Sequence, residues 1–378
     1  MKSAARALIN TAKHAGRLIG LLLLFIVAAV LLAAGINQFD EPLAPETQVW
    51  LQAPGVDHDA GNNGYYYLYG FASGSANPHA EGKLQLEQDQ SAGEALKVIG
   101  TPPKCPIKNG PCLDYMLSHA SDYQQAVANN QPLLKRYEAL IAYSGFEEKL
   151  VSMDTLPTPG YGPAMASAKL YLAQTALDIA ASKQNAADHL LKHLSFWIKA
   201  EQGSYSLISL MVATAQLQQA TIVTKELLAH YPAQLAGQRP ALLALLKARS
   251  QRSTTDLMAH AMRGEYFLAA NLLKIKADAD SRQTINEADD QAIPSWLGRL
   301  LFKGFYQQHA TLNRMRAVYA DQLRSAKHAC SASDYLQPIN PIGKFMVCDM
   351  FDPTSYADRL SNTQRMAAEL AKQLENTP

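Results

Sequence analysis

The sequence predicts a mainly α protein: an N-terminal transmembrane helix followed by an irregular multi-helix (helical-hairpin) domain with at most a little β-structure. Three observations predict it. Residues Leu18 to Ile36 include no charged side chain. From Leu113 onward, apolar residues recur at spacings of three and four, the period of one helix face. Prolines and glycines gather between these runs, where they end helices, rather than within them.

The first element is the run LIGLLLLFIVAAVLLAAGI, residues 18–36. At about 1.5 Å per residue, such a helix nearly matches the thickness of a bilayer's hydrocarbon core. The head before it, residues 1–17, holds Lys2, Arg6, Lys13 and Arg17 and no acid. That bias keeps the head cytoplasmic and sends the remainder across the membrane. A cleaved secretory signal has a similar layout, and Ala33-Ala34-Gly35 would suit a signal peptidase. Signal apolar regions are shorter, however, at about 7–15 residues, so an uncleaved signal anchor is expected.

Residues 37–62 contain Pro42, Pro45, Pro54, Gly55 and Gly61 and read as a tether. A Tyr-rich N-terminal subdomain, residues 63–154, follows. Asn63-Gly64 opens the densest aromatic cluster of the chain: Tyr65, Tyr66, Tyr67, Leu68, Tyr69 and Phe71. Packed in the core, its phenol groups would reach backbone or water. The competing place for it is the outer headgroup layer, where Tyr is enriched. Lys83 to Glu87 alternates as Lys-Leu-Gln-Leu-Glu, the one short stretch with a strand period.

All four cysteines lie beyond the apolar run, and an even count in an oxidising compartment favours disulfides. Cys105–Cys112 encloses an Asn-Gly flanked by prolines, and Cys330–Cys348 encloses the turn Asn340-Pro-Ile-Gly-Lys344. Each pair is expected to close a local loop, contributing about 2–3 kcal/mol.

Thr155 to Pro163 holds three prolines and two glycines, which marks it as an internal boundary. The helical-hairpin region, residues 164–277, comes next. Leu170, Ala173, Leu177 and Ala180 mark one face; Ala187, Leu190, Leu191, Leu194 and Ile198 mark another. Tyr205 to Tyr231 extends as a long helix stopped by Pro232, and Leu242 to Leu246 opens another after Pro240. Asp278 to Gln291 is acidic and lacks calcium-loop spacing, so it reads as a solvated connector. The C-terminal helical region, 295–378, contains an amphipathic run from Trp296 to Leu323 with a break near His309–Asn313. A final helix is expected from Ser355 to about Glu375.

Two places resemble the helix–turn–helix of tetratricopeptide repeats: Ala176 to Leu190, and Arg263 to Ala269 with its Gly-x-Tyr-x-x-Ala turn. They are not one repeat period apart, so hairpins are implied without a regular solenoid.

No nucleophile elbow, zinc-protease, phosphate-loop or dinucleotide motif is present in the sequence. His189 and His193 stand four apart, a spacing that can chelate zinc, but no third ligand is spaced to join them. They are read as the polar flank of a helix, and no metal or cofactor is expected. Removing the head's four bases from 34 Lys+Arg leaves 30 against 33 Asp+Glu, a faintly acidic body without the footprint of a nucleic-acid binder.

The arrangement as a whole resembles uncharacterised single-pass membrane-anchored proteins of Gram-negative bacteria. What carries the resemblance is one N-terminal membrane helix, an Asn-Gly-Tyr-Tyr-Tyr-Leu-x-Gly opening, two local cysteine pairs and an Asn-Pro-x-Gly-Lys turn. It implies an inner-membrane protein with the bulk of the chain periplasmic, and it implies no mechanism. The expected role is a non-catalytic interaction or assembly protein with a protein partner in the envelope. The alternatives are an envelope enzyme acting on glycan, peptide or lipid, and a binder of an apolar or aromatic ligand. The expected recognition residues are Tyr65, Tyr66, Tyr67, Tyr69, Asn340 and Lys344, because loops and turns with hydrogen-bonding side chains often carry function.

Overall fold

The computed structural model describes residues 2–55, 60–88, 95–105, 111–151, 159–282, 304–321, 339–348 and 353–376. In chain order its helices are α1 (Lys2–Ile36), α2 (Pro45–Trp50), α3 (Gly64–Tyr69), α4 (Pro78–Glu87), α5 (Cys112–Ser118), α6 (Ala120–Asn129), α7 (Gln131–Ile141) and α8 (Tyr161–Ala180). They continue as α9 (Ala186–Gln202), α10 (Leu207–His230), α11 (Pro232–Leu235), α12 (Arg239–Ser250), α13 (Thr254–Arg282), α14 (Gln308–Asp321), α15 (Pro341–Cys348) and α16 (Thr354–Asn376). Among the described residues the one β feature is an isolated parallel bridge between Asn63 and Gly145. The fold is mainly α.

The chain divides into two compact units. One comprises Met1–Val49 and Lys274–Phe351; the other comprises Trp50–Leu273 and Asp352–Pro378. The division differs from the boundary expected at Thr155–Pro163, since α3 to α12 all fall within the second unit.

In the first unit, α1 leaves its apolar side chains bare from Leu18 to Leu32, with Leu24 70% and Phe25 72% exposed. Its exit is fastened rather than loose. The Asn37 side chain donates to the Ala33 carbonyl at 2.7 Å, and its Oδ1 accepts the backbone N–H of Asn340 at 2.5 Å. Asp40 accepts the N–H groups of His309 at 2.6 Å and Ala310 at 3.0 Å, capping the start of α14. Asn313 donates to Glu41 at 2.7 Å and accepts the Ala44 N–H at 2.9 Å. The front of the segment read as a tether is therefore hydrogen-bonded into this unit. The break expected near His309–Asn313 is the N-terminus of α14, which then runs unbroken to Asp321.

The second unit is a stack of antiparallel helices. α9 and α10 are joined by a four-residue link and pack on each other and on α8, while α16 returns along α10 and α12. Arg239 ties the two ends by donating to the Leu374 carbonyl at 2.8 and 2.6 Å. The expected inward residues Leu170, Ala173, Leu190, Leu194 and Ile198 are buried, as are Leu242, Leu246, Leu360, Ala367, Leu370 and Leu374. α10 is long and apolar enough to cross a membrane, yet two thirds of its most apolar window is buried, which makes it the core helix of this unit.

Two expectations are corrected here. Lys83 to Glu87 is the C-terminal half of α4, not a strand. Asn77 caps that helix by accepting the Ala80 N–H, and Pro78 occupies its first position, so the start signals override a five-residue alternation. The first tetratricopeptide-like segment does form a hairpin, α8–turn–α9. The second does not: Gly264 lies inside the continuous α13. Its glycine is required because a Cβ there would stand 1.6 Å from the Tyr205 carbonyl oxygen.

The Cys105–Cys112 disulfide is formed, with Cα atoms 5.1 Å apart. Glu226 of α10 holds its distal end, accepting the N–H groups of Cys112 at 3.1 Å and Leu113 at 2.5 Å. Cys348 is disulfide-bonded, and Cys330 lies outside the described residues.

Candidate functional site

The richest gathering of ionisable and hydroxyl groups lies in the second unit at the N-terminus of α10. The segment after α7 is held by Asn63, whose Oδ1 accepts the Glu147 N–H at 2.9 Å and whose Nδ2 donates to the Glu147 carbonyl at 2.7 Å. This delivers Glu148 to the start of α10. There Oε2 accepts the backbone N–H groups of Tyr205 at 2.6 Å and Ser206 at 2.7 Å. Oε1 accepts the hydroxyls of Ser206 at 2.7 Å and Ser209 at 2.5 Å. Ser209 has one proton and directs it at Glu148, so the Tyr161 hydroxyl donates to Ser209 in turn. A second carboxylate, Glu265 of α13, accepts the Leu207 N–H at 2.7 Å. Gly203, which admits the Phe146 carbonyl where a Cβ would stand 1.9 Å away, lets the two strands of chain close over this site.

Burial pushes the Glu148 carboxyl above its ordinary 4.5, against the pull of its four hydrogen bonds. Burial likewise raises Glu265, the Leu207 N–H opposes the rise, and the nearby Glu148 charge adds to it. Tyr65 and Tyr161 are raised well above 10.0, first by burial and then by the Glu148 charge. A helix N-terminus is the place where two buried acids are best tolerated, because its free N–H groups and dipole favour negative charge. Beside them is a cavity of about 60 Å³ bordered by Tyr65, Glu148, Leu150, Tyr161, Ser206 and Glu265, enough for a water or two. Chemically, the arrangement can hold and relay a proton along Tyr161–Ser209–Glu148.

A second cluster surrounds His193. The Trp197 indole donates to the Tyr137 hydroxyl at 2.7 Å, and that hydroxyl is hydrogen-bonded to His193 Nδ1 at 2.9 Å. Burial lowers His193 from 6.5 to about 3, so the ring is neutral near pH 7. Nε2 has no hydrogen-bond partner among the described residues. His189 is half-buried, and no group of three metal-ligating side chains occurs among the described residues. A third polar island is the buried pair Arg249–Glu201 at 2.8 Å, joining α12 to α9.

The residues expected to recognise a ligand lie elsewhere. Tyr65, Tyr66, Tyr67 and Tyr69 are all buried, in a short helix capped by Asn63 and closed by Arg136, which donates to the carbonyls of Phe71 and Ser75. Of these, Tyr65 alone reaches the Glu148 cavity. Asn340 is buried, at φ 49°, and its Oδ1 accepts the N–H groups of Gln307 at 2.9 Å and Gly343 at 3.2 Å. Lys344 is half-buried on α15. Sequence reasoning missed Glu148, Glu265, Ser206 and Ser209, which are 58 to 61 residues apart in their contacts. The signal available was Ser206, three residues before Ser209 and directly ahead of an apolar helix. No family model, curated protein or solved structure matches the chain.

Proposed function

We propose that this chain is a membrane-tethered interaction or assembly protein of the periplasm, non-catalytic and anchored by α1 in the inner membrane. The observation that carries the reading is the junction at Asn37–Ala44. A membrane linker that only had to keep a domain nearby would need no such fastening. Here Asn37, Asp40, Glu41 and Ala44 are bonded to Asn340, His309, Ala310 and Asn313, which fixes α14 and α15 to the exit of an apolar helix. That rigidity supports a part that presents a surface at a set height above the bilayer. The Cys105–Cys112 disulfide agrees with an oxidising compartment. The Glu148 site serves stability in this reading: four donors and a second carboxylate complete the N-terminus of α10.

A reporter active only outside the cytoplasm, fused after Pro378, is expected to be active. Crosslinking in intact membranes, followed by purification of the full chain, is expected to yield a defined adduct with an envelope protein. An inactive reporter reverses the orientation. Turnover of envelope glycan, peptide or lipid that is abolished by Glu148→Gln, with the fold retained, replaces the scaffold with the enzyme reading.

A further inference from the structure

We propose that α15 is a second membrane-contacting element, lying in the headgroup–acyl boundary of the leaflet where α1 exits, with Ile339, Ile342, Phe345 and Met346 toward lipid. This rests on the reading of α1 as a membrane anchor.

The helix has two unlike sides. Gly343 and Val347 are buried, and Gly343 is pressed so close to α14 that a Cβ would stand 2.0 Å from the Thr311 hydroxyl. On the other side Phe345 is 64% exposed, Met346 38% and the preceding Ile339 48%. Ile342, Phe345 and Met346 fall at three- and four-residue spacings, so they share one face of α15, and Ile339 stands just before the helix, ahead of Asn340 at φ 49°. A soluble helix ordinarily turns polar side chains outward, and such a face is unusual on a surface open to water.

The cover for this face is indicated by its neighbour. Ile339 lines one open groove together with Leu31, Leu32, Ile36 and Phe39. Leu31 and Leu32 belong to the apolar span, and Leu31 precedes Ile36 by about 7–8 Å along a helix axis. Helices that lie in a membrane interface sit about 5–10 Å into the headgroup–acyl boundary, so Ile339 is at a matching depth. Gly304 lies at the same level, its Cβ position 3.3 Å from the Ala34 side chain. The groove turns polar at Asp40 and Glu41, the first acids after the span, which sets the upper limit of the apolar zone. Phe39, 82% exposed, and Phe345, 64% exposed, are rings of the kind that favour the interface. The apolar surface of α1 continues to Ile339, two residues before α15, and a bilayer that covers the span reaches the start of that helix.

The test uses the full chain reconstituted in phospholipid vesicles, with benzoylphenylalanine placed singly at Leu24, Phe345 or Leu84. All three are exposed, so the fold is retained. After irradiation, lipid adducts are expected at Leu24 and at Phe345, with Phe345 at least about tenfold above Leu84. Adducts at Leu24 with Phe345 no higher than Leu84, or with Phe345 joined to protein instead, overturn the inference and leave the anchor standing. Adducts at neither Leu24 nor Phe345 overturn the anchor itself.

Discussion

At the scale of single residues, two buried groups pull the pH dependence of stability in opposite directions. Glu148 has a raised carboxyl, so the folded state keeps its proton at pH values where the unfolded chain has lost it. Its contribution is fully present below the ordinary value of 4.5 and is lost as pH rises through the folded value. His193 is depressed to about 3, so the unfolded chain takes up a proton below 6.5 that the folded ring refuses. Its contribution is complete above 6.5 and is lost as pH falls from 6.5 toward about 3. Denaturant titrations from pH 7 to 4 should show His193→Gln removing a loss on acidification, and Glu148→Gln removing a gain. Both variants are also expected to be less stable at pH 7. For Glu148→Gln the amide oxygen can keep the two backbone N–H groups, but the NH2 then faces the Ser206 and Ser209 hydroxyls, whose protons lose their acceptor, at a cost of about 1–3 kcal/mol. An unchanged pH slope in either variant would show that the group titrates as it does in water. Neither role is legible in the chain. Glu-Glu-Lys at 147–149 resembles any charged loop, and the Tyr137 that engages His193 is 56 residues away.

At the scale of elements, helix starts are completed by acids from distant segments: Glu148 and Glu265 on α10, Glu226 on α5, and Asp40 on α14. Periodicity finds a helix and punctuation finds its end, which is why α8, α9, α10 and α16 could be placed from sequence. Local rules failed where five residues had to decide. In Lys83–Glu87, Leu84 is exposed and Leu86 is buried, so the alternation does not mark one face of anything. Asn77-Pro78 starts α4 as a helix cap, and Asn340-Pro341 repeats the same pattern ahead of α15. Glycines record crossings that sequence cannot show. A Cβ at Gly70 would stand 2.0 Å from the Pro78 carbonyl oxygen, and one at Gly82 2.0 Å from that of Tyr66, so α3 and α4 meet backbone to backbone. Gly264→Ala should therefore lower stability by about 3 kcal/mol or more, since the obstruction is backbone and must move. Gly237 meets nothing within 4 Å, and Gly237→Ala should be neutral or add about 0.4–1 kcal/mol by restricting the unfolded chain. Equal effects in thermal melts would mean that Tyr205 yields more easily than a packed backbone should.

At the scale of the molecule, the sequence separated what is bare from what is folded, and of the two places it offered the aromatic cluster the structure takes the core. The Tyr65–Phe71 cluster offered two places, core or headgroup layer, because composition alone cannot say which way a ring points. All six of its aromatic and leucine side chains are buried, and Tyr65 packs edge-on against Phe146, which packs in turn on Phe196. The exposed apolar side chains that remain after α1 include Phe39, Phe345 and Met346, all in the first unit. This predicts the behaviour of a chain beginning at Asn37. Its second unit keeps the stack of α8, α9, α10, α12 and α16 intact, with the Arg239–Leu374 tie closing it, so circular dichroism should be strongly helical without detergent. Its first unit keeps the Asn37–Asn340 and Asp40–His309 bonds but loses the apolar helix beside them. Residual binding in liposome flotation should follow from that surface, and the double change Phe345→Ser, Met346→Ser should remove it while the helical signal stays. Tyr66→Ser should act differently, loosening the α3–α4 pair and lowering the melting temperature without releasing protein from lipid that it does not hold through that ring. A chain from Asn37 that is unfolded would make α1 part of the folding unit, and flotation that follows the Tyr segment would return that cluster to the membrane surface.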